Sequence, residues 1–177
     1  SRSKLLEQLK AFETWANDLD SKSGEVYNVL AAVKEYSGNY ELAREYYVKA
    51  TELSPEYALA GHWLALYYTN FTGEIDKAIK IHQGLIARPS LPEKYRNRIL
   101  LELGYDYLGA GWFDRAEGLF KEVLIHDPKS EKALHNLILI YQQEKDWHKA
   151  IDAAESLYSA NPAKVGPMIS QYYCELA

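Results

Sequence analysis

A single cysteine, Cys174, excludes an internal disulfide framework and any metal site built from several cysteines within these residues. The five histidines, His62, His82, His126, His135 and His148, include no pair four residues apart and no HExxH arrangement, the spacings by which one helix face holds zinc. No glycine-rich phosphate loop, nucleophile elbow or cofactor motif is present, so an enzyme is not expected and no cofactor is implied. No apolar run approaches the roughly 18 residues needed to span a bilayer, and no signal peptide opens the chain. Positive charge is in the minority: 20 Lys+Arg stand against 25 Asp+Glu, a net charge of −5. That balance disfavours phosphate backbones and anionic lipid, so neither nucleic acid nor membrane contact by this segment is expected. An initiating methionine is also lacking, and the chain stops in an unfinished apolar pattern, Gln171-Tyr-Tyr-Cys-Glu-Leu-Ala177, so it reads as a piece of something longer. What is present is an ordinary soluble composition, 47% apolar and 25% charged over 177 residues, which fits one compact domain or one short array.

The array is written in the spacing of small residues. Alanines precede bulky or apolar residues at Ala43/Tyr47/Ala50, Ala78/His82/Leu85, Ala116/Phe120/Val123 and Ala150/Ala154/Leu157, and the leading alanines are 35, 38 and 34 residues apart. Pro55, Pro128 and Pro162 each follow their alanine by twelve residues, and Gly38, Gly73, Gly111 and Lys145 each precede theirs by five. Within a unit the period is helical. Leu100, Leu103, Gly104 and Tyr107 share one face, Gly111 breaks the pattern, and Phe113, Ala116, Phe120 and Val123 share another. Leu134, Leu137, Ile138 and Tyr141, then Trp147, Ala150, Ala154 and Leu157, copy it. Spacings of three and four mark a helical stripe, so each unit is two helices joined by a turn. Neither helix can bury its stripe alone, and the hairpins must stack.

Units so built resemble tetratricopeptide repeats. The likeness is fullest in the third and fourth units; Lys34 replaces the usual aromatic in the first, and the second carries one extra residue before Gly73. The fold class implied is all-α, a right-handed α-solenoid of stacked helix–turn–helix repeats, with residues 1–177 as a single array. Repeats are expected at about 24–57, 58–89, 91–130 and 131–164, with the first helix of a fifth over 165–177. Ser90-Leu91-Pro92-Glu93 has the form of a capping box, which would start the third unit's long helix near Leu91. Upstream, Leu5, Leu6, Leu9, Phe12 and Ala16 predict an amphipathic helix over 4–22 that covers the exposed end of the first repeat.

Three stretches resemble a narrower family. They are Gly73-Glu-Ile-Asp-Lys-Ala-Ile-Lys-Ile-His-Gln83 with the Ser90-Leu91 insertion, Leu103-Gly-Tyr-Asp-Tyr-Leu-Gly-Ala-Gly-Trp-Phe-Asp-Arg-Ala-Glu117, and Tyr172-Tyr-Cys-Glu-Leu-Ala177. From about Tyr36 onward the chain is similar to the lipopolysaccharide assembly protein B family of Gram-negative-type bacteria. The resemblance implies a regulator: one N-terminal helix in the inner membrane, cytoplasmic repeats and a C-terminal rubredoxin-like zinc module. Members bring the deacetylase that commits carbon to lipid A to a membrane-bound AAA protease. Neither the anchor nor the zinc cysteines lie within this sequence.

Among individual residues, His82 is expected as a packed imidazole and Cys174 as a buried thiol with no cationic neighbour in sequence. Tyr47, Tyr68, Tyr107 and Tyr141 fall at core positions, Trp112 and Trp147 at hairpin tips, and Trp63 and Tyr67 are open between packing and surface. At about 100° per residue, the stripe Arg98, Leu101, Tyr105 and Leu108 points away from the buried stripe of its helix. Its equivalents are Glu25, Asn28, Ala32 and Glu35; Leu59, His62, Leu66 and Thr69; and Lys132, His135, Leu139 and Gln142. A concave groove lined by His62, Leu66, Leu101, Tyr105, His135, Leu139 and Gln142, with Arg98 and Lys132 at one edge, is semi-apolar and suits a protein or peptide client. Asn28 and Ala32 offer no Lys–Asn pair, so the carboxylate clamp of chaperone-binding repeats is not expected. Two other readings stand beside a lipopolysaccharide regulator: a generic tetratricopeptide scaffold of pilus or secretion assembly, and the helical arm of a larger enzyme.

Overall fold

The computed structural model describes residues 7, 10–12, 14–16, 23–160 and 162–176. Of the expected capping helix, Leu5, Leu6 and Leu9 lie outside the described residues; 10–12 and 14–16 are helical, and Ala16 is buried. Two compact units divide the chain, residues 1–91 and 92–177. In the first, α1 (Gly24–Tyr36) pairs with α2 (Tyr40–Leu53), and α3 (Ala58–Tyr67) with α4 (Ile75–Ile86). In the second, α5 (Glu93–Gly109) pairs with α6 (Phe113–His126), α7 (Glu131–Glu144) pairs with α8 (Trp147–Ala160), and α9 (Pro162–Leu176) packs on α8. Among the described residues there is no strand, and the fold is all-α of the tetratricopeptide type.

The punctuating residues do one geometric task. Gly38, Gly111 and Lys145 sit in the left-handed region at φ 85°, 77° and 58°. Each lets the next amide reach back five residues: Asn39 N to Lys34 O (2.9 Å), Trp112 N to Tyr107 O (2.8 Å), and Asp146 N to Tyr141 O (2.8 Å). This is the Schellman closure, which satisfies carbonyls left open at a helix end and reverses the chain. Lys145 does so without being glycine, against a left-handed cost of about 1–2 kcal/mol for a residue with a Cβ. Lys145→Gly is therefore expected to raise stability by about 1 kcal/mol, read as a melting-temperature rise of about 2–4 °C. A fall in melting temperature would contradict it.

The second hairpin takes its extra residue in this same closure. Tyr68–Thr72 form a π turn, Gly73 is at φ 69°, and Glu74 N reaches back six residues to Tyr68 O (3.1 Å). A π turn holds one residue more than an α turn, so the insertion widens the tip. The widening begins at Tyr68, and this corrects the core assignment. Tyr67 is the buried ring, its hydroxyl donating to Tyr40 O (2.9 Å), while Tyr68 is half-buried beneath the Lys77 ammonium.

Small residues sit where helices touch. Ala43, Ala78, Ala116 and Ala150 have no exposed surface. In the third hairpin, a Cβ placed on Gly104 would lie 2.6 Å from the Phe120 ring, so α5 and α6 approach over a missing side chain. Tyr47 donates to Glu35 (2.9 Å) across the first hairpin, and Tyr141 of α7 donates to Glu117 of α6 (2.8 Å). Lys121 and then Tyr141 hold the Glu117 carboxyl below the usual carboxylate range.

Helix α5 begins at Glu93, two residues later than the Ser90 capping box implies. Pro92 stands at the helix boundary with extended backbone (ψ 134°), and no side chain caps the first turn. Glu93, now the first helical residue, pairs instead with Arg96 (3.5 Å) and lies 3.8 Å from His126 Nδ1. Helix α9 starts at Pro162, whose missing N–H costs nothing in a first turn.

Candidate functional site

Of the nine groove residues inferred from sequence, two belong to the first unit and seven to the second, and each unit is described by itself. In the first unit Leu66 is half-buried, but His62 has no exposed surface. Its Nδ1 lies 3.1 Å from Nε2 of His82, itself fully buried, so the two imidazoles share a hydrogen bond between α3 and α4. His62 is therefore a core residue of its hairpin and does not line an open groove. Helical spacing puts His62 on the outward stripe of α3, and His82 reaching across from α4 gives its imidazole a polar partner inside the hairpin.

In the second unit α5 turns Ile99, Leu100, Leu103, Gly104 and Tyr107 into the core, leaving Arg98 exposed and Leu101 and Tyr105 half-buried. Helix α7 buries Leu134, Leu137, Ile138 and Tyr141, leaving Lys132, His135 and Leu139 exposed and Gln142 half-buried. Three of the seven come together around a cavity of about 370 Å³ between α5, α7, α8 and α9, lined by Tyr105, Lys132, His135, Asn136, Leu157 and Met168. Arg98 and Leu101 lie earlier on α5, and Leu139 and Gln142 later on α7; these four do not line it.

Tyr105 does not simply point outward. Its ring packs 5.8 Å from Phe120, and its Oη accepts from Asn136 Nδ2 (3.3 Å), which also donates to Lys132 O (2.7 Å). Burial pushes the phenol above its usual range, so it stays protonated at neutral pH. Sequence reasoning missed Asn136, which is buried one residue after His135, and missed Met168 and Leu157. Asn136 lies on a second buried line of α7, three residues after Ala133 and four before Ile140, and a polar residue between those two apolar positions was the available signal.

A more open hollow of about 430 Å³ lies at the tip of the α5–α6 hairpin, by Trp112, Phe113, Arg115 and Glu144. The Arg115 guanidinium already covers the Trp112 ring at 4.7 Å, so that aromatic face is occupied from within. Trp112 and Trp147 both stand just past the left-handed residue of their hairpins, Trp112 packed on Tyr107 at 5.6 Å and Trp147 also stacked on Tyr172 of α9 at 6.0 Å. Tyr172 takes the buried position of α9, which leaves Cys174, two residues on, exposed and not buried as its sequence neighbourhood suggests. Trp63 packs half-buried against the first unit's core. Among the described residues no three His, Cys, Asp or Glu converge on a metal-sized site, and no helix is long and apolar enough to cross a membrane.

No protein-family model matches the chain. Among curated proteins it is similar to lipopolysaccharide assembly protein B of Escherichia coli (strain K12), 42% identical over 105 residues, which are 59% of this chain and 27% of that protein. The Haemophilus influenzae (strain ATCC 51907 / DSM 11121 / KW20 / Rd) protein of the same name is 38% identical over 104 residues, 58% of this chain and 26% of that one. The chain thus matches about a quarter of the length of these relatives. Among solved structures, PilW, a type IV pilus biogenesis factor, is similar at TM-score 0.77 and 17% identity, over 99% of this chain and 86% of that one. A Podosopora anserina protein of nearly identical TPR-like repeats is similar at TM-score 0.67 and 18% identity, over 90% of this chain and 86% of that one. These structural likenesses show the fold. The chain is a tetratricopeptide domain resembling lipopolysaccharide assembly protein B.

Proposed function

We propose that this domain is a non-catalytic protein-binding scaffold of a regulator of lipopolysaccharide synthesis, working at the cytoplasmic face of the inner membrane. Its part is to hold the lipid A deacetylase for a membrane AAA protease. The observation that carries the binding reading is the open stripe of α5 and α7. Leu139 is 45% exposed, Leu101 and Tyr105 are half-open, and Arg98, Lys132 and His135 stand among them. A mixed surface of apolar and aromatic side chains with cations around it has the composition of a protein interface. The likeness to lipopolysaccharide assembly protein B supports the choice of client.

The test is a calorimetric titration of the domain with the deacetylase from the same source. Leu139→Glu is expected to weaken binding about ten-fold, since it puts a charge in the apolar middle of the contact. Ile125→Glu, at a 77% exposed position on α6, should leave it unchanged. Binding that survives Leu139→Glu and fails with Ile125→Glu would move the working surface to the outer helices. No binding at all would remove the deacetylase as client.

A further inference from the structure

The cavity at Tyr105 has a donor set whose chemistry the binding reading leaves unspecified. Asn136 is 7% exposed and spends its amide on Tyr105 Oη (3.3 Å) and Lys132 O (2.7 Å). In the first of these bonds the phenol is the acceptor, so its own O–H proton is not consumed there and can donate to a group in the cavity. Lys132 and His135 line the same cavity, one turn apart on α7. The apolar part of the lining is Leu157 and Met168. A hydroxyl, an ammonium and an imidazole beside an apolar wall match an anionic acceptor carried on a short aliphatic stem. Glu131 lines the cavity too, and its negative charge disfavours a dianion such as a phosphoryl group, leaving a single carboxylate as the fitting guest.

We propose that the cavity receives one aspartate or glutamate side chain from within the protein client. Tyr105, Lys132 and His135 take the carboxylate, and Leu157 and Met168 take its methylenes. The proposal rests on the reading of the α5–α7 face as a protein-binding surface and adds what that surface selects.

The sequence contains one methionine, so a carbon-13 methyl label on Met168 gives a single NMR signal inside the cavity. The probes are acetyl-Ala-Glu-Ala-amide and its glutamine counterpart, whose blocked ends remove any terminal carboxylate. The glutamate peptide is expected to shift the Met168 signal saturably, and the glutamine peptide to bind at least about five-fold more weakly. Tyr105→Phe keeps the ring on Phe120 and removes the hydroxyl together with its bond from Asn136; it should weaken the glutamate probe about three-fold or more while lowering the melting temperature by a few degrees, and Lys132→Ala should weaken the probe likewise with a melting temperature near wild type. Lys121→Ala on α6 should change nothing. Equal binding of the two peptides, an unmoved Met168 signal at about 50 mM probe, or wild-type binding by both Tyr105→Phe and Lys132→Ala would overturn the proposal. The two readings fail separately. If the deacetylase depends on Leu139 but not on the Tyr105 hydroxyl or Lys132, the interaction face stands and the acidic guest does not. If it depends on none of them, the face itself falls.

Discussion

Replacing Phe120 with alanine is expected to cost the second unit about 3–5 kcal/mol, read from its chemical denaturation midpoint. The ring has no exposed surface, packs 5.8 Å from Tyr105, and lies where a Gly104 side chain would be. Removing it opens a cavity at the contact of α5 with α6, and the close helix approach leaves little freedom to collapse into it. Gly104→Ala attacks the same contact from the other side. Its Cβ would meet the ring at 2.6 Å, too near for any real pair, so ring or helix must shift. Combining Gly104→Ala with Phe120→Leu should cost less than the two separate losses added, because the shorter side chain makes room for the methyl. Simple additivity, or a Phe120→Ala loss below about 1 kcal/mol, would show that the two residues do not meet.

Ala116→Leu is expected to lower stability by about 1–3 kcal/mol, while Asp114→Leu, two residues away, should stay within about 0.5 kcal/mol of wild type. Ala116 has no exposed surface and Asp114 is exposed, so the two leucines differ in where they must fit and hardly in what they are. Ala150→Leu should behave like Ala116→Leu, since it holds the same place in the next hairpin and is equally buried. Equal melting temperatures for Ala116→Leu and Asp114→Leu would mean that the hairpin register is wrong.

The parts of this molecule that were legible in the sequence are those that repeat. Alanines at helix contacts and a left-handed residue at each tip recur at fixed offsets, and recurrence separates a packing requirement from chance. Lys145 shows the strength of that signal: it stands at the offset of the glycines, and the structure finds it in their left-handed conformation. What escaped was local and occurred once. Whether Pro92 stands inside α5 or just before it turns on one ψ angle. The exchange of Tyr67 for Tyr68 follows from a single wide turn. His62 lies on the stripe expected to be open, and only the three-dimensional meeting with His82 buries it. The candidate site was half legible for the same reason: helical geometry selected Tyr105, Lys132 and His135. Asn136, which donates to Tyr105 from 31 residues along the chain, and Met168, which lines the same cavity from α9, are brought in only by the tertiary fold.

The wide turn at Tyr68–Thr72 acts as an expansion joint. One surplus residue is taken up where the chain reverses, in exposed and half-buried backbone, so Ala78 and Leu85 still arrive at their buried places on α4. Had the surplus entered mid-helix, everything after it would have rotated by about 100° and turned an apolar face outward. Length variation in such a molecule should therefore gather at hairpin tips, and two copies of the motif can differ in residue count while their packed faces remain in phase.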